Sequence, residues 1–126
     1  MKWTYRREVI LKTLLESNAD VICLQEVESA QFQSFFAPRL HDAGYEGRFV
    51  IKSRARNMDN SALVDGCATF YRRSRFSFVD ERKIEYQSIA IKKHKEFSDQ
   101  RALQRLLGRD NVALVLALRV KVFIFF

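Results

Sequence analysis

The spacing of apolar residues predicts alternating helices and strands in the first half of the chain. Residues 5–17 carry Ile10, Leu11, Leu14 and Leu15 at helical spacing, which predicts an amphipathic helix. The continuous apolar run from Val21 to Leu24 then predicts a strand over 20–27 that is buried on both faces. Ser29 is suited to cap a second helix, which Pro38 should kink or divide and Gly44 should end. The apolar face of this second helix is formed by Phe32, Phe35, Phe36 and Leu40.

The second half of the chain predicts more strands than helices. A strand over 45–51 is followed by a polar segment, 52–66, which reads as an exposed loop in which Asp65 and Gly66 form a turn. Two further strands, at 67–73 and 75–86, are joined by a turn around Arg73 and Ser74. After a basic loop at 92–97, Ser98 should cap a helix that Gly108 closes, and 112–120 forms another buried strand. This order of elements predicts a layered α/β domain.

Length and charge narrow the class of protein. A chain of 126 residues is long enough for one small domain with one core. Its 22 Lys and Arg against 15 Asp and Glu give a net charge of +7, which favours polyanions such as RNA, DNA or phosphorylated small molecules. A basic surface without an assigned partner explains the charge equally well.

The two cysteines and the apolar segments indicate in which cellular compartment the protein is expected. Cys23 and Cys67 sit among apolar neighbours without metal-binding spacing, so we expect reduced core residues of an intracellular protein. Residues 1–10 contain no apolar stretch of signal-peptide length, and Arg119 and Lys121 interrupt the apolar C-terminal segment. We therefore expect a soluble protein with no membrane partner.

The first strand ends in carboxylates, and this ending carries the candidate chemistry. Gln25 and Glu26 follow the buried run, and Glu28 comes two residues later. In open α/β sheets, ligands bind outside the carboxyl ends of the strands, and a carboxylate there is a suitable oxygen ligand for Mg²⁺. The alternative is that Glu26 and Glu28 are solvated residues at the start of a turn.

Several longer stretches resemble one known family. They read WTYRREVILKTLLESNADVICLQEVESAQFQSFFAPRLHDAGYEGRFVIKSRAR, VDGCATFYRRSRF and GRDNVALVLALRV. The ordered set of Trp-x-Tyr-Arg, Gly-Tyr, Lys-Ser-Arg-Ala and Val-Asp-Gly-Cys-Ala is similar to the endonuclease/exonuclease/phosphatase superfamily. Within it, the similarity is to deadenylases of the carbon catabolite repressor protein four type, the nuclease subunit of the Ccr–Not complex. The resemblance runs from about residue 3 to about residue 120 and implies part of a layered α/β sandwich.

The resemblance implies an activity and a set of site residues. Members are Mg²⁺-dependent 3′→5′ exoribonucleases that shorten mRNA poly(A) tails. Glu26 matches the catalytic, metal-binding glutamate of the family, and Gln25 supports its orientation. Lys52, Arg54 and, with a weaker match, Asn111 correspond to substrate-binding positions. Poly(A) RNA is the implied partner, a deadenylation complex follows by analogy, and the implied compartment is the cytoplasm, with the nucleus left open.

The chain also departs from the family pattern. Relatives have a strand ending in a catalytic Asn before the Trp-x-Tyr-Arg helix, and later Gly-Asp-Phe-Asn and Ser-Asp-His motifs. Residues 1–126 contain none of these, so we expect a partial domain, truncated at both ends, with an atypical apolar tail at 121–126. Two alternatives stay open: a catalytically inactive fragment with weak RNA binding, and a nocturnin-like nucleotide phosphatase. The site residues also have plain alternatives, in which Lys52, Arg54 and Arg56 form a solvated loop and Asn111 satisfies a turn.

Overall fold

A computed structural model describes residues 2–96 and 98–122 as two antiparallel sheets with helices. The strands are β1 (Val21–Glu28), β2 (Tyr45–Ile51), β3 (Asp65–Arg72), β4 (Phe76–Glu85) and β5 (Val112–Val120). The helices are α1 (Trp3–Glu16), α2 (Ser29–Gln31), α3 (Ala37–Asp42), α4 (Tyr86–Lys92) and α5 (Gln100–Leu107). A π-helical segment (Phe32–Phe36) joins α2 to α3, and short 3₁₀ helices occur at Ser53–Asn57, Ser61–Leu63 and His94–Glu96. The layered α/β prediction is confirmed.

The first sheet has the order β1–β3–β2, and β3 pairs antiparallel with both neighbours. Because β1 and β2 each oppose β3, they run parallel to one another and end at the same edge of the sheet. The second sheet consists of β4 and β5. The turn predicted around Arg73 and Ser74 therefore connects two sheets and does not close a hairpin within one. The guanidinium of Arg48 on β2 lies 4.0 Å from the ring centroid of Phe78 on β4, which is one contact between the sheets.

Helix α1 and the helical segment from Ser29 to Asp42 cover one face of the first sheet and form the core with it. The buried cluster comprises Leu11, Ile22, Val27, Phe35, Phe36, Leu40, Tyr45, Ala68 and Phe70. The prediction that β1 is buried on both faces is wrong, because Val21 is 40% exposed and Cys23 is exposed as well. The expectation that Cys23 is a core residue fails for the same reason. β5 was also expected to be buried, but within it only Val112 is.

The segment from Ser29 to Asp42 remains helical across Pro38. Ser29 is the first helical residue, and Glu28 occupies the cap position, so the predicted cap is displaced by one residue. Proline has no amide hydrogen to donate within a helix. The preceding turn is widened to a π-helix, in which the Ala37 amide donates to the Phe32 carbonyl five residues earlier. Gly44 ends the helix at φ +94°, as predicted.

The later segments differ from the prediction in three places. The strand predicted at 75–86 is β4, but Tyr86 begins helix α4, which covers residues 87–91 where no element was predicted. Asp99 rather than Ser98 caps α5, by accepting from the Arg101 amide at 2.9 Å. Asp65 and Gly66 begin β3 and do not form a turn, and Gly66 does not have positive φ. Residues 123–126 of the predicted apolar tail lie outside the described residues. Within 2–96 and 98–122, no helix combines the length and apolarity needed to cross a membrane.

Gly66 is required by close packing of the backbone. A Cβ built on Gly66 would contact the Val50 carbonyl oxygen and lie 2.9 Å from Ile51 Cα, both on β2. We expect Gly66→Ala to lower the free energy of unfolding by about 3 kcal/mol, because backbone atoms have little freedom to move. Gly108→Ala is the matched control, since its Cβ would meet nothing closer than 3.5 Å. Urea unfolding of both variants checks this, and equal effects would contradict it.

Candidate functional site

Strand β1 contains a bulge at the predicted metal ligand. Leu24 pairs with Ala68 and Val27 pairs with Gly66, so Gln25 and Glu26 together oppose one residue, Cys67. The extra residue puts Glu26 in the left-handed region, at φ +58°. A side chain other than glycine costs on the order of 1 kcal/mol there, and such strain concentrates at functional sites. The fold therefore accepts a strained backbone at the bulge that contains Glu26.

Three of the four predicted site residues line one cleft. Glu26, Lys52 and Asn111 surround a space of about 270 Å³ at the edge where β1 and β2 end. The rest of the lining is formed by Gln25, Gly66, Cys67, Tyr86 and Val112. Strand register explains the convergence: Glu28 pairs with Asp65 and Ile51 with Gly66, so both strands end beside the start of β3. Asn111 joins them at the start of β5, where its carbonyl accepts from the Tyr86 amide at 3.3 Å.

Arg54 lies beside this cleft without lining it. Its Nη2 donates to Asp65 Oδ1 at 2.5 Å, and its Nη1 donates to Asp110 Oδ2 at 2.7 Å. Arg54 was predicted to bind the substrate, but its guanidinium instead binds the carboxylates of Asp65 and Asp110. The structure brings Glu26, Lys52 and Asn111 together and leaves Arg54 in an ion-pair network.

Asp65 is the centre of that network. Lys52 Nζ lies 2.6 Å from Asp65 Oδ2, and the side chains of Asp65 and Lys52 are 15% and 21% exposed. Partial burial acts to raise the pKa of Asp65, but hydrogen bonding and the charges of Lys52 and Arg54 outweigh it and hold that pKa below its ordinary value. Asp65 is consequently an anion at neutral pH, with one cation at each oxygen.

Cys67 lies in the cleft as a neutral thiol. Burial raises its pKa, and the nearby charge of Asp65 raises it further, while Lys52 acts in the opposite direction. Its Sγ lies 3.7 Å from the Val112 carbonyl oxygen, toward which the thiol can donate. Because a thiol with a raised pKa is a poor nucleophile, Cys67 belongs to the wall of the cleft and not to its chemistry.

The donors in the cleft suit a hydrated magnesium ion. Glu26 offers a carboxylate, and Gln25 and Asn111 offer amide oxygens. Mg²⁺ prefers oxygen ligands and usually keeps several waters while one or two carboxylates and a substrate phosphate hold it. Among residues 2–96 and 98–122, no three His, Cys, Asp or Glu side chains cluster as a complete metal site. Glu26 would therefore be the main ligand from this part of the chain.

Sequence reasoning did not find Asp65 and Tyr86. Asp65 was read as a turn residue, since its pairing with Lys52 depends on the register of β2 and β3. Tyr86 was placed at the end of a strand, although it begins α4 and lines the cleft. Lys52 and Arg54 lie two residues apart, and two neighbouring cations are often paired with a carboxylate. This was the feature of the sequence from which the role of Asp65 could have been predicted.

The basic turn after β3 has a structural role. Arg72 Nε donates to Asp20 Oδ1 at 3.0 Å, and its Nη2 donates to the Tyr45 hydroxyl at 2.9 Å. Arg73 Nη1 donates to the Tyr45 carbonyl at 2.6 Å. Both guanidinium groups therefore fasten the end of the sheet opposite the cleft.

Comparison with known proteins identifies the family. Residues 1–116 match the model of the endonuclease/exonuclease/phosphatase family. The chain belongs to this family. It is 39% identical over 125 residues to carbon catabolite repressor protein 4 homolog 1 of Arabidopsis thaliana, covering 96% of this chain and 21% of that protein. It is 36% identical over 123 residues to the CCR4-Not complex 3′-5′-exoribonuclease subunit Ccr4 of Candida albicans, covering 96% and 16%. The resemblance seen in the sequence is confirmed, and the chain spans about a fifth or less of these relatives.

Two solved structures with this fold contain a bound vanadate compound or a sulfate anion. ANGEL2, described as a 2′,3′-cyclic phosphatase and solved with adenosine-2′,3′-vanadate, has a TM-score of 0.71 and 30% identity, over 96% of this chain and 29% of ANGEL2. The human nocturnin catalytic domain, solved with a bound sulfate anion, has a TM-score of 0.70 and 28% identity, over 95% and 38%. The fold of the described residues is therefore that of part of a larger sandwich.

The strain at Glu26 makes a stability prediction. We expect Glu26→Gly to raise the free energy of unfolding by about 1 kcal/mol, because glycine adopts positive φ without strain. Glu28→Gly is the control: Glu28 lies in the same strand at φ −62°, so the same substitution should lower stability by about 0.5–1 kcal/mol. Urea unfolding compares the two, and equal losses would mean that Glu26 is not strained.

Proposed function

We propose that this chain supplies the metal-binding and phosphate-binding side of a Mg²⁺-dependent 3′→5′ exoribonuclease that shortens poly(A) tails. The observation that carries the proposal is the strained Glu26, which meets Lys52 and Asn111 in one cleft. The printed name of the Candida albicans relative, a 3′-5′-exoribonuclease subunit of the CCR4-Not complex, supports the reaction class and suggests both an RNA substrate and a deadenylation complex as its setting.

Each residue has a role that follows from its chemistry. Glu26 would hold a partly hydrated Mg²⁺ through its carboxylate, with the amide of Asn111 beside it. Bound there, the metal would offset the negative charge that builds on the phosphoryl oxygens during displacement. Lys52 would direct its ammonium at a phosphate oxygen of the substrate backbone, because Asp65 holds its Nζ at the edge of the cleft.

The reaction would be hydrolysis of the 3′-terminal phosphodiester. A water oxygen forms the new P–O bond, the bond to the 3′ oxygen of the preceding nucleotide breaks, that oxygen takes a proton, and AMP is released. Within the described residues, Glu26 is the one carboxylate that lines the cleft, and no histidine lines it. We therefore assign positioning of the phosphate to this segment, and activation of the water to groups other than these lining residues.

A nucleotide phosphatase is the second candidate. The observation that favours it is the fold similarity to ANGEL2, solved with adenosine-2′,3′-vanadate, at 30% identity. A cleft with one carboxylate, one ammonium and an amide suits any substrate whose reacting group is a phosphate. The nocturnin-like alternative stays in the same class. The third reading, an inactive fragment that binds RNA weakly, is favoured by the net charge of +7 and by the lack of a histidine or a second carboxylate among the described residues that line the cleft.

A substrate panel separates these readings. The protein that carries this sequence is incubated with Mg²⁺ and, in turn, with oligoadenylate, mixed-sequence RNA, RNA ending in a 2′,3′-cyclic phosphate, and a nicotinamide dinucleotide phosphate. We expect AMP release from oligoadenylate to be fastest, and Glu26→Gln to slow it by about 100-fold, since one preorganised electrostatic contact is worth that much. Glu28→Gln, which removes a carboxylate from the same strand outside the cleft, should leave the rate unchanged.

The other outcomes each contradict the proposal in a different way. Faster turnover of the cyclic phosphate or of the dinucleotide would establish the phosphatase reading. Salt-sensitive RNA binding without cleavage would favour the inactive fragment, because release of counterions governs such binding. If Glu26→Gln and Glu28→Gln changed the rate of AMP release equally, Glu26 would have no specific role in the site.

A further inference from the structure

We propose that Asp65 is a positioning residue for the candidate site, holding Lys52 at the cleft and connecting, through Arg54 and Asp110, the two segments that carry Lys52 and Asn111. The inference rests on the proposed function, because it gives Lys52 the task of meeting a substrate phosphate. It deepens that proposal by assigning Arg54 a role through Asp65 and Asp110 rather than a direct contact with RNA.

Four alternating charges form a continuous chain beside the cleft. Lys52 Nζ lies 2.6 Å from Asp65 Oδ2, Arg54 Nη2 lies 2.5 Å from Asp65 Oδ1, and Arg54 Nη1 lies 2.7 Å from Asp110 Oδ2. The Lys52 amide also donates to the Asp65 carbonyl at 3.0 Å. Asp65 thus binds Lys52 through both its backbone and its side chain, and Asp110 directly precedes Asn111.

The two carboxylates of the network are more buried than the arginine that joins them, whose side chain is 44% exposed. The side chains of Asp65 and Asp110 are 15% and 28% exposed, and the carboxylate of Asp65 is shared between two cations. Exposed single pairs contribute little because they must immobilise long side chains in water. Here the two Nη groups of Arg54 each hold one carboxylate, and the rigid fork of the guanidinium fixes their separation in a way that a lysine ammonium does not.

The network affects the orientation of the Lys52 ammonium more than its long-range attraction for RNA. Two cations and two anions sum to zero, so this cluster adds little long-range attraction for RNA. Its contribution is orientation: an ammonium has three N–H groups, and one held by Asp65 leaves others for a phosphate at a fixed place. A lysine on a flexible four-carbon stem would otherwise lose rotamer freedom on meeting substrate.

Orientation and attraction predict opposite results for one substitution. Asp65→Asn removes a negative charge near the cleft, so simple attraction predicts tighter binding of RNA. Positioning predicts the reverse, because Lys52 loses its anchor. Glu28 is the matched control, since it is the cross-strand partner of Asp65 and forms no ion pair within the described residues. Glu28→Gln removes the same charge at the same edge of the sheet and should leave binding unchanged or slightly tighter.

The test is a double-mutant cycle on binding. The probe is a short oligoadenylate with phosphorothioate linkages, which resist hydrolysis, and Kd is measured by fluorescence anisotropy in Mg²⁺ at fixed salt. We expect Asp65→Asn and Lys52→Met each to weaken binding about tenfold, and the double variant to be no weaker than Lys52→Met alone, as for residues that act as a unit. Asp65→Glu should restore part of the loss.

Arg54→Lys gives a second readout if Asp65→Asn folds poorly, as checked by thermal unfolding. It keeps the charge but replaces two N–H groups at fixed positions with one compact ammonium, which weakens the connection between Asp65 and Asp110. Positioning therefore predicts weaker binding, while a phosphate contact made through charge alone predicts nearly unchanged binding. Additive losses in the cycle, tighter binding by Asp65→Asn, or unchanged binding by Arg54→Lys would overturn the inference. Absence of any binding by the unsubstituted protein would overturn it as well.

Failure of the proposed function is recognised separately. The unsubstituted protein is also assayed on oligoadenylate with ordinary linkages. If it binds the phosphorothioate probe with a coupled cycle but releases no AMP, the nuclease proposal fails and the positioning role of Asp65 stands. If it releases AMP and the cycle is additive, the nuclease proposal stands and the role of Asp65 fails.

Discussion

The one extra residue in β1 is the constraint on which the site depends. Ile22 and Leu24 face the core two residues apart, and the next inward residue, Val27, comes three residues later. Without the bulge, strict alternation would turn Val27 away from the core. Burial of Val27 therefore stabilises the bulge, and the bulge in turn fixes Glu26 at φ +58° with its carboxylate at the cleft. Core packing thus offsets the backbone strain at the proposed metal ligand.

The second determinant is the direction of the strands. β3 opposes both β1 and β2, so the two outer strands are parallel and their carboxyl ends coincide. The rule that ligands gather at the carboxyl ends of parallel strands was applied to this sequence, and the candidate cleft lies at that end although each paired ladder is antiparallel. Gly66 allows β2 to approach β3 closely at that edge, and Asp65 next to it provides the anion that Lys52 and Arg54 share.

Local patterns predicted much of the fold. The bounds of β2 agree with the structure at both ends, and Gly44 ends its helix as expected, because periodicity and glycine act over a few residues. Helix α4 was missed because it is only seven residues long and its apolar residues, Ile89 to Ile91, are adjacent, a pattern without helical spacing. Exposure of Cys23 depends on what covers the second face of the sheet, which its own neighbours in sequence do not encode.

The candidate site was predictable only in part, because contacts between residues far apart in the sequence depend on the fold. Glu26, Lys52 and Asn111 were named from a family resemblance, and the structure gathers them in one cleft. Arg54 was assigned to the substrate from the same resemblance, as a basic residue close to Lys52 in the sequence. Its two carboxylates are 11 and 56 residues away, and only the fold brings them near.

Binding of Mn²⁺ followed by NMR is the direct test of a metal site at Glu26, because Mn²⁺ accepts the same oxygen ligands as Mg²⁺ and broadens nearby resonances. If Glu26 holds the metal, the amide resonances of Gln25, Cys67 and Asn111 broaden selectively, those at the far end of the sheet near Gly44 do not, and the pattern is lost in Glu26→Gln. Broadening that is uniform over the protein, or that persists unchanged in Glu26→Gln, would contradict a metal site built on the strained glutamate.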